Sequence, residues 1–199
     1  MLNIISEGYF KILKLFYTKK TRIHLREIAK ETGLNENSVY RFLNRLEKSS
    51  ILSSEKEGNM RFFSLKKSKS VYLLLSYFDI ERYSGLPHNR RVAIDTYLNF
   101  LPEQPIFVIL FGSTAKNTYR AESDIDLLIV TNRRIDTEEA EVKADARAAL
   151  KISSFQMVYK DFLKELRLKE DMVVQSALET GYPLLNHIKY YEVLAGAKI

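Results

Sequence analysis

A glycine-serine pair and an Asp-x-Asp triplet, each joined to a short apolar run, constrain this chain more than any other feature. Gly112 and Ser113 follow the run Ile106–Phe111, and Asp124 and Asp126 open the next apolar run. Residues separated by one position on a β-strand point to the same face, so the two carboxylates share one side. Like charges held together are costly unless a cation lies between them, and hard oxygen ligands suit Mg²⁺.

The glycine-serine pair predicts the second half of a nucleotide site. Gly112 and Ser113 follow a strand and open a short helix, whose free N–H groups can hold a phosphate. Glycine also allows a close approach to the backbone. A phosphate cradle beside a metal-binding carboxylate pair on an adjacent strand is what nucleotidyl transfer requires.

The spacing of Gly-Ser, ten residues and Asp-x-Asp resembles the signature of minimal nucleotidyltransferases of the DNA polymerase β superfamily, over roughly residues 88–190. The resemblance implies that Gly112 and Ser113 hold the β- and γ-phosphates of a nucleoside triphosphate, with ATP expected. It also implies that Asp124 and Asp126 are the catalytic pair and bind two Mg²⁺ ions. Further candidates for nucleotide contact lie between the two motifs: Lys116, Arg120 and Ser123. The alternative for the two basic side chains is plain solvation.

Two positions depart from the family pattern. Asn117 stands where the family often has glycine, and asparagine is the residue that best imitates glycine in a left-handed conformation. The family usually carries a third carboxylate on the next core strand, but the run Ile152–Tyr159 contains no acid. We expect Gln156 to occupy that position as a weak metal ligand that cannot act as a base. The chain is therefore either a slow enzyme or a nucleotide binder that no longer catalyses.

The second half alternates between strands and helices. Strands are predicted at Ile106–Phe111, Asp124–Thr131 and Ile152–Tyr159. Helices are predicted near residues 89–100, 137–150, 160–168 and 170–179, with a short one at the C-terminus. This alternation predicts an α/β layer, and the resemblance implies a mixed sheet. With a helical first half, the fold class is a multidomain α+β protein.

The first half reads as a winged helix-turn-helix. Apolar residues at helical spacing predict helices near 6–18, 24–31 and 35–49, with Gly33 ending the second. Two strand-like runs around the turn at Gly58 predict a hairpin, and an apolar helix follows at 68–83. We place the DNA-binding domain at residues 1–66, a linking helix at 67–87 and the nucleotidyltransferase domain at 88–199.

This order of elements predicts that the third helix enters the major groove of DNA. The stretch Arg26–Leu52 resembles the winged helices of many bacterial and archaeal transcriptional regulators. The residues opposite the buried face of the third helix suit base edges and phosphates: Asn37, Ser38, Arg41, Asn44 and Arg45. Lys56 and Arg61 flank the wing turn, within reach of backbone phosphates. The alternative is a protein-contact module.

The charge of the chain divides unevenly between its halves. Residues 1–85 contain 16 Lys/Arg against 9 Asp/Glu, whereas residues 86–199 contain 15 against 16. The basic excess predicts double-stranded DNA as a partner of the first half alone. The chain has no cysteine, which excludes disulfides and cysteine chemistry. Its apolar runs are too short to cross a bilayer, so we expect a cytoplasmic protein with no membrane partner.

Two functions remain open from the sequence. The first is an Mg²⁺-dependent enzyme that transfers NMP from an NTP to an acceptor. Relatives of this minimal class include antitoxins that adenylylate a HEPN-type toxin, which suggests a partner protein as acceptor. The second is a transcriptional regulator whose nucleotidyltransferase-like domain binds nucleotide without catalysis. The apolar helix at 70–80 is either the seam of a homodimer or a helix packed between the two domains.

Overall fold

A computed structural model describes residues 6–19 and 21–197. These residues form two compact units, and the boundary in the chain falls between Phe78 and Asp79. It lies inside a helix, Lys69–Ser84, that the sequence analysis assigns to the linking segment. Each unit has its own apolar core.

The first unit is a helix-turn-helix with a hairpin. Its elements are α1 (Glu7–Lys19), β1 (Ile23–His24), α2 (Leu25–Thr32), α3 (Glu36–Lys48), β2 (Leu52–Glu57), β3 (Met60–Leu65) and the first part of α4 (Lys69–Ser84). Strand β3 lies between β1 and β2 and pairs antiparallel with both. The predicted order of helices and hairpin is confirmed, and the structure adds the short strand β1.

The turn between α2 and α3 follows from local chemistry. His24 caps α2 by accepting a hydrogen bond from the backbone N–H of Glu27, and Asn35 caps α3 by accepting one from Ser38. Between the helices, Gly33 has a φ of 67°. Glycine adopts this left-handed conformation without steric cost. These residues therefore fix the tight turn before α3.

The core of the first unit buries one face of each helix against the wing, which is the hairpin of β2 and β3, and against the start of α4. Its buried members include Ile12, Phe16, Ile28, Val39, Leu43, Phe63 and Phe78. Burying a side chain of this size contributes about 1.5–3 kcal/mol. The inward face of α3 is thereby fixed, which leaves its opposite face outward.

The second unit is a four-stranded mixed sheet with helices on both faces. Its elements after α4 are α5 (His88–Asn99), β4 (Phe107–Phe111), α6 (Gly112–Lys116), β5 (Ile125–Thr131), α7 (Glu138–Ala148), β6 (Ile152–Val158), α8 (Tyr159–Leu168), α9 (Met172–Thr180), β7 (Tyr182–Leu185) and α10 (His187–Gly196). The strand order is β6-β5-β4-β7, with β5 and β6 parallel and the other pairs antiparallel. The mixed sheet is confirmed. Strand β7 is an addition, and its Pro183 is tolerated because the strand is at an edge.

The two faces of this sheet have separate cores. Helices α5 and α7 cover the face that carries Leu127 and Ile129, while α8, α9 and α10 cover the face that carries Leu128 and Val130. Residues alternate between the faces along each strand. Asp126 therefore shares the second face with Leu128, and this assignment decides which residues of neighbouring strands lie beside it.

None of the helices in the described ranges is long and apolar enough to cross a membrane.

Candidate functional site

The closest contact of the candidate nucleotide site joins Gly112 to Asp126. Phe111, the last residue of β4, pairs with Asp126 of β5, so the chain leaves β4 directly beside that carboxylate. Gly112 has a φ of +67°, and a β-carbon built on it would lie 2.1 Å from Oδ2 of Asp126. A side chain at this position would force either the carboxylate of Asp126 or the backbone of the turn to shift. The position therefore requires glycine because the carboxylate of Asp126 leaves no room for a side chain. The sequence pattern alone explains this glycine only by the close approach of a phosphate.

Asp124 and Asp126 lie together at the start of β5. Burial, followed by the negative charge of Asp124, raises the pKa of the half-buried Asp126. The two carboxylates are therefore close enough to repel each other. The exposed ammonium of Lys151, with Nζ 3.9 Å from Oδ2 of Asp124, lies at the edge of the pair. A partly desolvated pair of this kind is stabilised by a bound cation.

The short helix α6 carries the Gly-Ser motif, and a residue with positive φ stands at each end of the helix. Gly112 opens the helix, and Asn117 closes it with a φ of 58° and a ψ of 35°. The backbone N–H of Thr118 donates to the carbonyl of Ser113, at 3.0 Å, and completes the turn. The predicted left-handed conformation of Asn117 is confirmed. Asparagine therefore adopts here a left-handed conformation that glycine would also allow.

The segment between the two motifs contains the remaining nucleotide candidates. Lys116 and Arg120 are exposed. The hydroxyl of Ser123 accepts a hydrogen bond from the backbone N–H of Arg120, at 2.9 Å, and so shapes the turn that precedes Asp124. Lys116 and Arg120 are therefore the candidates with freely accessible side chains, while Ser123 acts on the loop itself.

The sequence analysis missed Arg90, which lies on α5 and is 2% exposed. Its guanidinium donates to the hydroxyl of Thr114 and to the backbone carbonyls of Arg120 and Ser123. It also lies 3.9 Å from the ring centroid of Tyr119. Arginine is among the residues least often buried, so no signal along the chain pointed to this position.

The predicted role of Gln156 as a metal ligand is wrong. Strand β6 pairs with β5 so that Ser153 lies beside Asp126, and Gln156 falls on the opposite face of the sheet. The Gln156 amide donates to the carbonyl of Ile135 at 2.8 Å and accepts from its N–H at 3.1 Å. These bonds hold the segment before α7. The neighbour of Asp126 on β6 is therefore a serine, followed on the same face by Phe155.

The donor set fits a magnesium ion that arrives with its nucleotide. Across residues 6–19 and 21–197, no three His, Cys, Asp or Glu side chains come together as a metal site. Asp124 and Asp126 supply carboxylate oxygens, and burial together with the charge of Asp124 raises the pKa of Asp126. Proteins usually bind Mg²⁺ through one or two carboxylates together with substrate phosphates.

The outward face of α3 carries most of the predicted DNA-contacting side chains. Asn37, Arg41 and Arg45 are exposed, and Ser38 is half-buried with its hydroxyl accepting a hydrogen bond from Arg41. Tyr40 lies beside them and is 52% exposed. The sequence analysis missed this tyrosine, although its place between Asn37 and Arg41 on a helix puts it next to the predicted face.

Arg61 joins the hairpin of β2 and β3 to α3, and its predicted contact with phosphate stays a prediction. Its guanidinium donates to the carboxylate of Glu47, to the hydroxyl of Ser54 at 2.9 Å and to the side-chain oxygen of Asn44 at 3.5 Å. Asn44 is therefore partly engaged as well, and it is half-buried. Lys56 is exposed on the wing and remains a candidate for a phosphate contact there.

The fold and these two surfaces define a DNA-binding helix-turn-helix unit followed by a nucleotidyltransferase unit. A family model for the nucleotidyltransferase domain matches residues 94–182, and one for the IclR helix-turn-helix domain matches residues 9–55. The chain therefore contains both domains, in the order that the sequence signatures predict. No curated protein matches the chain, and no solved structure matches it.

Proposed function

We propose that this protein is a DNA-binding regulator whose nucleotidyltransferase domain binds a nucleoside triphosphate together with Mg²⁺. The observation that carries the nucleotide site is the contact of Asp126 with Gly112, with Asp124 beside it. It places the first turn of α6 next to a carboxylate pair. The free N–H groups of such a turn suit a phosphate, and the carboxylates suit the metal that the phosphate brings.

The chain's own residues account for binding in this proposal. The backbone of Gly112 and Ser113 holds the terminal phosphates, and the exposed Lys116 and Arg120 neutralise their charge. Asp124 and Asp126 would hold Mg²⁺, whose charge would offset the repulsion between these carboxylates and the phosphates. We expect ATP as the nucleotide. Free Mg²⁺ should bind weakly, because two carboxylates alone leave most of its coordination to water.

The serine beside Asp126 favours binding without catalysis. A third carboxylate would have to project from β6 on the face of Asp126, where Ser153 and Phe155 stand instead. Neither side chain accepts a proton as a general base near neutral pH. The proposed regulator only has to bind nucleotide, and binding needs only the Gly-Ser turn and the carboxylate pair, which the site retains.

Transfer of NMP to an acceptor is the second candidate function, because the carboxylate pair itself is intact. Asp124 and Asp126 would hold metal ions, which would supply the positioning and charge neutralisation that can lower the barrier to transfer. We propose a HEPN-type partner protein as the acceptor in that case. The exposed apolar side chain of Leu73 on α4 lies on the surface that we propose for a homodimer.

The first test is thermal unfolding with each NTP, with and without Mg²⁺. We expect ATP to raise the Tm only with Mg²⁺ and only in the wild type, with no shift in Asp124→Asn. A ligand at about a hundred times its Kd adds about 2.7 kcal/mol of stability, which a melting curve resolves. If no NTP shifts the Tm, the nucleotide proposal fails. Incubation with α-labelled NTP then separates the two candidates, since protein-bound label requires transfer.

Arg41→Ala and Arg45→Ala should each weaken binding to duplex DNA. Loss of a phosphate contact should lower the slope of log affinity against log salt by about 1, and loss of a base contact should cost about 1–3 kcal/mol. Arg147→Ala, an exposed arginine on α7, is the matched control. The measurement is fluorescence anisotropy with labelled duplex across a salt series. Unchanged affinity in both variants would instead make the α3 face a protein-contact surface.

A further inference from the structure

Arg90 is a buried cation whose hydrogen-bond acceptors are all uncharged. Its guanidinium donates to the Thr114 hydroxyl at 2.9 Å, to the Arg120 carbonyl at 3.0 Å and to the Ser123 carbonyl at 3.1 Å. Burial lowers its pKa, with no carboxylate to offset that cost. Burying a charged group is costly, and hydrogen bonds to the group offset part of that cost.

The partners of Arg90 adjoin both motifs of the nucleotide site. Thr114 directly follows the Gly-Ser pair, and Ser123 directly precedes Asp124. Tyr119 stacks on the same guanidinium between these two points. A planar fork of five donors can bind several acceptors in fixed directions, which a lysine ammonium does not reproduce. One side chain on α5 therefore connects α6 to the residue before Asp124.

We propose that Arg90 is the positioning residue of the nucleotide site. It holds Thr114 and Ser123 in fixed relation, so that the Gly-Ser turn and the carboxylate pair keep the spacing that a metal-bound triphosphate needs. This inference rests on the proposed nucleotide binding, but the tie between Arg90 and the loop can be measured without any nucleotide. Arg90 itself does not touch the nucleotide.

The test compares Arg90→Met and Arg90→Lys with Arg147→Met as the matched control. Hydrogen–deuterium exchange of the apo proteins should rise only in peptides covering residues 114–123 for the Arg90 variants. The Kd for Mg²⁺·ATP, from calorimetry, should rise at least about tenfold in Arg90→Met, which corresponds to 1.4 kcal/mol. Arg90→Lys should resemble Arg90→Met, because the charge alone does not restore the fork. Arg147→Met should match the wild type in both measurements.

Several outcomes would overturn this assignment. Exchange that rises throughout the second unit would make Arg90 a general stabilising residue. An unchanged Kd in a folded Arg90→Met would remove its link to the nucleotide. If wild type binds no Mg²⁺·NTP, the proposed function fails and so does the positioning role, while local exchange still reports the tie. Should Arg90→Met not fold, Thr114→Val removes one acceptor at similar volume and must raise loop exchange.

Discussion

Gly112→Ala should abolish the stabilisation of the protein by Mg²⁺ and nucleoside triphosphate. The new β-carbon would lie 2.1 Å from Oδ2 of Asp126, so either the carboxylate of Asp126 or the Gly-Ser turn must shift. Either movement separates the two halves of the site. The left-handed conformation adds a cost of about 1–2 kcal/mol for any L-residue. Thermal unfolding with and without Mg²⁺·ATP measures both effects.

Gly33→Ala is the matched control for this substitution. Gly33 has the same φ of +67°, but a β-carbon there would meet nothing within 4 Å. The variant should lose about 1–2 kcal/mol of stability from the backbone conformation alone and should bind nucleotide normally. The difference between the two variants isolates the contact with Asp126. If Gly112→Ala loses no more stability than Gly33→Ala and still binds nucleotide, that contact does not organise the site.

Asp126→Asn should raise the Tm of the protein in the absence of metal and nucleotide near neutral pH. Burial and the charge of Asp124 raise the pKa of Asp126, so its ionised form destabilises the folded state. Below the ordinary value of 3.8, both states carry the neutral acid and the effect is absent. As pH rises past 3.8, the unfolded chain ionises first and the wild type loses stability until the folded pKa is passed.

The difference in Tm between Asp126→Asn and the wild type should therefore grow with rising pH and then stay constant toward neutrality. Asp145→Asn, at an exposed position on α7, is the control and should show no such difference. With Mg²⁺ and ATP present, the wild type should have the higher Tm, because only the wild type gains stability from the ligand. The measurement is Tm as a function of pH, with and without ligand. A lower Tm for Asp126→Asn at neutral pH without ligand would contradict this account.

The features predicted correctly from the sequence depend on neighbours in the chain. Asn117 ends a helix in the left-handed conformation because its own side chain tolerates it. Gly33 and Asn35 define the turn before α3 through contacts within three residues. The helical spacing of apolar residues also separates the inward and outward faces of α3 without reference to any other element.

The features that were missed depend on contacts between distant segments. The face of Gln156 is decided by the pairing of β6 with β5, and a run in which serine and apolar residues mix shows no clear alternation. Arg61 donates a hydrogen bond to Glu47, which lies on another element. The sequence does not show this contact, so the charge of Arg61 alone led to the prediction that it contacts DNA. Arg90 required the fold to bring α5 against a loop 30 residues away.

The position of Arg90 also bears on which segment of this protein could be transferred to another chain as a unit. The recognisable nucleotidyltransferase stretch spans residues 94–182, so Arg90 lies just outside it. A graft that transplants only that stretch would leave behind the side chain joining Thr114 to Ser123. A transferable unit that keeps the contacts of Arg90 must therefore include α5 as well as the segment that the sequence similarity marks.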